Sequence, residues 1–270
     1  MTPRLDLARE AALEAGRLVM SYYKDSYEVM EKAANNPVTT ADLEADRALK
    51  RMLLEGAPGS GWLSEETADS PQRLAAEDVW VVDPIDGTKE FILGIPEFAI
   101  SIGLARRGEI VAAVVYNPAR NELFVAEKGG GARLNGEPIR VTEAQSLAGA
   151  RLDASRSETR RGEFEAYAGR FQVREVGSIA YKLARVAAGL TDVTWSLGPK
   201  NEWDIAAGVL LVEEAGGRAT DPDGAAFVFN QPKTKVKGIL ATSLRLHADA
   251  VRAVAEDVAR RRSAPPRQRA

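Results

Sequence analysis

Apolar and polar positions recur at a helical period near the start of the chain and at a strand period in its middle. Over residues 3–24, Leu5, Ala8, Ala12, Ala15 and Val19 return every three or four positions, which predicts an amphipathic helix. A second helix is expected over 42–55, ending near Gly56, and an apolar, β-branched strand over 79–83. Phe98 to Ala105, Ile110 to Tyr116 and Glu122 to Ala126 are β-rich runs broken by Arg107-Gly108 and Asn117-Pro118, so an antiparallel meander is expected. Gly129-Gly130-Gly131 lacks a following Gly-Lys-Ser/Thr and reads as a hairpin that ends at Asn135-Gly136, not as a phosphate loop. Strand signals at 150–154 and 171–176 then alternate with helices at 178–189 and 204–216. In the last of these, Ile205, Gly208, Val209 and Val212 have helical spacing and Gly216-Gly217 supplies a C-cap. The change from meander to alternation places a subdomain boundary near 145. The reading is therefore an α+β part over 1–145, an α/β part over 146–257, and an Arg/Pro tail over 258–270 expected to be disordered.

The candidate chemistry sits in Trp80-Val81-Val82-Asp83-Pro84-Ile85-Asp86-Gly87-Thr88-Lys89-Glu90-Phe91. A strand delivers two carboxylates three residues apart into what reads as a tight turn opening toward a helix. Proline pushes Asp83 toward extended backbone and cannot donate a hydrogen bond, and the turn frees the Ile85 carbonyl to face outward. Gly87 and Thr88 suit a helix start, where unpaired N–H groups would meet an anion such as phosphate. Carboxylates, a free carbonyl and an anion nest together fit a hard cation of the Mg²⁺ kind. Asp-Pro and Asp-Gly are also ordinary turn dipeptides. Two further acidic segments strengthen the metal reading. Trp62-Leu63-Ser64-Glu65-Glu66-Thr67 lies upstream, and Glu202-Trp203-Asp204 opens the helix at 204–216, where Asp204 reads equally as an N-cap.

These three segments in this order resemble the inositol monophosphatase superfamily, Mg²⁺-dependent and lithium-sensitive phosphomonoesterases, over roughly residues 5 to 245. The resemblance implies a layered α-β-α-β-α sandwich with metals in a cleft between its halves. It implies that Glu65, Asp83 and the Ile85 carbonyl hold one Mg²⁺, that Asp83, Asp86 and Asp204 hold a second, and that a weaker third ion leans on Glu65. Thr88 and Asp42 match the pair that orients the attacking water; Asp42 also reads as an N-cap of the helix after it. The amides of Gly87 and Thr88 would hold phosphate oxygens. Lys89-Glu90-Phe91 and Leu197-Gly198-Pro199-Lys200-Asn201-Glu202-Trp203-Asp204 look closer to the bacterial 3′(2′),5′-bisphosphate nucleotidase branch. There Lys89, Ser178 and Lys182 would contact substrate, with Ser178 as a helix cap the alternative. An inositol-1-monophosphatase or broad-specificity sugar phosphatase is the second reading, and a non-catalytic, metal-dependent regulatory protein the third. A homodimer is implied by the resemblance alone. Haloacid-dehalogenase-type phosphatases space their two aspartates by two residues, and neither the glutamate pair nor the Trp-Asp has a place in their scheme.

Composition agrees. The 270 residues, 45% of them hydrophobic, suffice for a substantial core. No eighteen-residue apolar run and no secretory leader are visible, so a cytoplasmic enzyme without a membrane partner is expected. With no cysteine, disulfides and thiolate catalysis are excluded, and the single histidine, His247, reads as a surface or helix-start residue. The net charge of −3 includes five arginines from Arg260 onward, which leaves about −8 for the body and no broad basic face for a nucleic-acid polymer. The expected ligand is a small phosphate ester.

Overall fold

The computed structural model describes residues 2–33 and 36–263. Helix α1 (Pro3–Tyr22) leads into a hairpin of β1 (Val29–Ala33) and β2 (Asn36–Thr39), then α2 (Thr40–Gly56), β3 (Gly61–Ser64) and β4 (Asp78–Asp86). After the short α3 (Thr88–Ile92) come β5 (Ala99–Arg106), β6 (Glu109–Asn117), β7 (Glu122–Glu127), β8 (Gly131–Leu134) and β9 (Glu137–Ile139). Strands β3 to β9 form a seven-stranded sheet in sequence order. It is antiparallel throughout except for β3, which runs parallel to β4. The meander and the hairpin at Asn135-Gly136 thus lie where the alternation of polar and apolar residues puts them.

The remainder comprises β10 (Arg151–Ala154), α4 (Arg156–Arg160), β11 (Gln172–Glu175), α5 (Ile179–Ala187), β12 (Val193–Ser196), β13 (Lys200–Asn201) and α6 (Glu202–Glu214). It closes with β14 (Gly217–Thr220), β15 (Lys235–Val236), β16 (Ile239–Ser243) and α7 (Leu244–Ser263). Five of these strands make a second sheet in the order β11-β10-β12-β16-β14. Helices α1 and α2 cover one face of the large sheet through Leu5, Ala8, Ala12, Ala15, Val19, Leu49 and Leu53. Helices α5 and α6 fill the space between the two sheets, and α7 covers the outer face of the small one. The result is an α-β-α-β-α sandwich.

Central placement explains the composition of α6. Helical spacing alone predicts one apolar stripe, yet Ile205 through Val212 are all buried, because sheets lie on two sides of the helix and α5 on a third. Small residues permit the approach. A Cβ on Gly208 would lie 2.6 Å from Leu183 Cβ on α5, and one on Gly103 of β5 would lie 3.1 Å from Ala206 Cβ. Helix bounds shift by a residue or two from those expected, as fraying ends do. The expected tail from 258 is corrected in part: helix α7 continues to Ser263, and 264–270 lie outside the described residues. His247 is in the first turn of α7 but is buried, its Nε2 3.0 Å from Thr220 Oγ1, so the surface reading is also corrected. Among the described residues no helix is long and apolar enough to cross a membrane.

Gly208→Ala is expected to destabilise. Alanine gains about 1 kcal/mol of helix propensity, but overpacking against a Cβ that cannot rotate away costs about 1–3 kcal/mol. Urea unfolding checks this, with a lower midpoint at unchanged slope the expected outcome.

Candidate functional site

The segment read as a tight turn is a bulged strand. β4 continues through Asp86, and its pairing with β5 slips by one residue between Asp83↔Ser101 and Asp86↔Ala99. Pro84 has no N–H for the ladder, which makes this a favourable place for the irregularity. The slip has a chemical consequence. Residues three apart on a regular strand face opposite ways, whereas one extra residue resets the alternation, and Asp83 and Asp86 line the same pocket. The Ile85 N–H donates to Asp83 Oδ1 at 3.0 Å, which orients that carboxylate. Gly87, at φ +99, caps α3; a Cβ there would sit 3.1 Å from the Glu97 carbonyl oxygen.

Two other segments converge on this strand. Parallel pairing of β3 with β4 brings the Glu65 N–H to the Val82 carbonyl at 3.3 Å, so Glu65 emerges beside Asp83. Asp204 lies in the first turn of α6, where Asn201 is the N-cap and donates its N–H to Asp204 Oδ2 at 2.7 Å. The N-cap reading of Asp204 is therefore corrected: it occupies the third helical position and leaves Oδ1 for the pocket. Oxygens of Glu65, Asp83 and Asp204 all lie within 4.8 Å of one another. Asp86 stands slightly apart, with Oδ2 accepting from Ser178 Oγ at 2.5 Å and from the Ala180 N–H at 2.6 Å.

Asp42 likewise is not an N-cap. Thr39 caps α2, and Asp42 Oδ2 reaches back to the Thr39 N–H at 2.7 Å in a capping box. Its other oxygen lies 3.0 Å from Thr88 Oγ1, which is also 3.1 Å from the Ile85 carbonyl oxygen, so one hydroxyl proton is shared between two acceptors. Ser178 caps α5 by accepting the Tyr181 N–H at 2.9 Å while donating to Asp86. The cap alternative describes it, and its proton is already committed. Lys89 and Lys182 both line the pocket, of about 360 Å³.

Burial dominates the electrostatics. It pushes Asp83 well above the usual carboxylate range, with the charges of Glu65, Asp86 and Asp204 adding to the effect. Asp204 is raised to about 8 by burial and by Asp86 and Glu65, and Asp86 to about 6 by burial, against Ser178, Ala180 and Lys182. Glu66 is raised to about 7, also by burial. A donor set made only of carboxylate and carbonyl oxygens, with charges this closely crowded, fits a hard divalent cation and suits neither zinc nor copper. Lys32, on the β1–β2 hairpin, donates to Glu65 Oε1 and Glu66 Oε1, each at 2.7 Å. Sequence reading missed it, because nothing local marks a lysine thirty residues upstream as a partner of the glutamate pair. It also missed Asp46, which accepts from Ser64 Oγ at 2.5 Å and Thr67 Oγ1 at 2.6 Å and so braces both sides of Glu65-Glu66. Asp46 stands four residues after Asp42 on the same helix face, a signal that was legible.

A model described as the inositol monophosphatase family matches residues 1–259. An inositol-1-monophosphatase of Rhizobium meliloti is 38% identical over 230 residues, covering 82% of this chain and 86% of that protein. The Nus factor SuhB of Escherichia coli K12 is 37% identical over 235 residues, 83% of this chain and 87% of its own length. An inositol monophosphatase structure from Thermotoga maritima superposes with a TM-score of 0.86 at 32% identity, covering 96% of this chain and 99% of that one.

Asp83→Asn keeps the shape and removes charge from the middle of the cluster. Turnover is expected to fall about a thousandfold or more, the equivalent of about 4 kcal/mol, with unchanged circular dichroism. A folded variant retaining a tenth of wild-type turnover would refute the central role of Asp83. A second expectation concerns metal-free protein. Carboxylates whose pKa is raised on folding bind more protons in the native state, so stability falls as pH rises between about 4 and 8. The melting temperature in EDTA should therefore decrease from pH 6 to pH 8, and saturating Mg²⁺ should flatten that slope.

Proposed function

Because the chain belongs to the inositol monophosphatase family and is a phosphoric monoester hydrolase, we propose that it hydrolyses small polyol phosphates such as inositol 1-phosphate with bound Mg²⁺. The observation that carries this is the convergence of Glu65, Asp83 and Asp204 in one pocket with Thr88, whose hydroxyl is bonded to Asp42. Glu65, Asp83 and the Ile85 carbonyl would hold one ion, and Asp83, Asp86 and Asp204 another; Glu65 is the anchor for a third. Bound there, such ions lower the pKa of water and stabilise negative charge on the phosphate and leaving oxygens. Thr88, donating toward Asp42, turns its lone pairs to the pocket and orients the attacking water through Oγ1. Asp42 is raised above the usual carboxylate range by burial, which makes it the better acceptor for the proton that Thr88 passes on. The N–H groups of Gly87 and Thr88 bind phosphate oxygens, and Lys89 adds a positive charge at the rim.

The far wall of the pocket supports a hydroxylated substrate. Glu158 is buried there, with one oxygen held by Ser196 and 3.5 Å from Lys200 Nζ. Its other oxygen has no hydrogen-bond partner among the described residues. The charge of this carboxylate opposes a second phosphate, against the cations Lys182, Lys200 and Arg161 that line the same pocket. One observation favours the bisphosphate-nucleotide reading as the second choice: Lys182 is buried on the pocket wall, its charge opposed by desolvation and partly compensated by Glu158 and Asp86.

A comparison of kcat/KM with Mg²⁺ decides between them. Inositol 1-phosphate should exceed 3′-phosphoadenosine 5′-phosphate by at least about tenfold, and excess EDTA should abolish turnover of both. Lys182→Ala should raise KM about tenfold or more for whichever ester uses its ammonium, in line with about 1–3 kcal/mol for a charge-assisted hydrogen bond. The opposite preference in the unmutated protein establishes the nucleotide reading.

A further inference from the structure

The segments that carry Glu65 and Asp204 come from opposite ends of the sequence, and their carboxylates repel. A polar network centred on the buried side chains of Arg73 and Glu202 joins them. Arg73, on the short turn after the Glu65 loop, is 3% exposed and grips Asp69 with two bonds, Nε to Oδ1 at 2.6 Å and Nη2 to Oδ2 at 2.9 Å. The same guanidinium reaches across to the loop before β15. Nη1 donates to Asn230 Oδ1 at 2.6 Å, and Nη2 to the Gln231 carbonyl at 2.9 Å. That loop in turn wraps the start of α6. The N–H groups of Asn230 and Gln231 donate to the two oxygens of Glu202 at 2.6 and 2.8 Å, and the Glu202 N–H donates to the Thr234 carbonyl at 2.9 Å. Glu202 is two residues before Asp204, and Asn230 holds the left-handed backbone (φ +57) that aims both amides at one carboxylate.

We propose that Arg73, Asn230 and Glu202 form a clamp that positions the Glu65 loop against the N-terminus of α6, and so sets the spacing of the two carboxylates for a divalent cation. None of the three lines the pocket, so they are positioning residues. The inference rests on the reading of Glu65 and Asp204 as cation ligands. A bond to a charged, buried arginine is strong enough to hold such a spacing, and fork geometry fixes direction as well as distance. Loss of the clamp lets the loop and the helix separate under their own repulsion. Cation affinity then weakens while the substrate contacts on the far wall remain.

Calorimetric titration of the full chain with Mn²⁺ tests this directly, with KM for inositol 1-phosphate at saturating Mg²⁺ as a second readout. Asn230→Gly retains the left-handed backbone and both N–H donors and leaves charge unchanged, removing the acceptor for Arg73 Nη1 and the long 3.4 Å bond from Asn230 Nδ2 to the Arg73 carbonyl. It should weaken Mn²⁺ binding at least about fivefold and leave KM within about twofold. Arg73→Met separates geometry from charge, because deleting a positive charge by itself tightens cation binding, whereas loss of the clamp weakens it. Weaker binding in both variants is the expected result. Unchanged Mn²⁺ affinity in Asn230→Gly, even with a lower melting temperature, overturns the clamp, as does tighter binding in folded Arg73→Met. If Arg73→Met does not fold, Asn230→Gly alone carries the decision. Wild-type protein that takes up no Mn²⁺ overturns the cation site itself, and the clamp with it.

Discussion

Repulsion among carboxylates that the fold forces together is the constraint on which this structure turns. Glu65, Asp83 and Asp204 come from three separate segments, and their oxygens approach within 4.8 Å. Two like charges about 4 Å apart cost about 4 kcal/mol at the effective dielectric of a protein surface. A domain has only about 5–15 kcal/mol of net stability. Three such groups therefore cannot all stay ionised at this spacing without proton uptake or a cation, and the raised proton affinities of Asp83 and Asp204 express that directly. A cation bound here would link its binding to folding, since whatever neutralises the cluster also stabilises the fold.

The layers of the sandwich hold the cluster together. Asp83 and Asp86 are fixed by the bulge of a central strand, Glu65 by a parallel neighbour of that strand, and Asp204 by the start of the helix between the sheets. Close approach of α6 to α5 and to β5 needs Gly208 and Gly103, positions remote from the chemistry. Packing thus sets the location of the α6 N-terminus before any polar contact refines it. The refinement comes from the surrounding hydrogen bonds: Asn201 to Asp204, Ser178 to Asp86, and Ser64 and Thr67 to Asp46 behind the glutamate pair.

Periodicity was enough to place α1, α2, the meander and α6, because one buried face per element leaves a period of 3.6 or 2 in the residues themselves. The acidic segments were legible for a similar reason: paired carboxylates next to proline and glycine leave few structural roles that explain them all. At the site, three local readings differed from the structure. The supposed turn at Asp83–Asp86 is a bulge, since a missing N–H marks a break in the ladder without saying whether the chain reverses. Asp42 and Asp204 are third-position partners in capping boxes, with Thr39 and Asn201 as the caps, and an acidic first turn alone does not tell the two registers apart.

By itself the sequence determined the order of α1, α2, β4, the meander, α5 and α6, the oxygen-only character of the candidate donor set and the segments that supply it. Only the tertiary structure decided which carboxylates meet, which oxygens remain free, and which distant residues hold them. Lys32 reaches Glu65 from the β1–β2 hairpin, Glu158 meets Lys200 beside the pocket, and Arg73 finds Asn230 more than 150 residues away. Contacts of this kind leave no period in the chain, because they depend on where whole elements pack and not on any residue's neighbours in sequence.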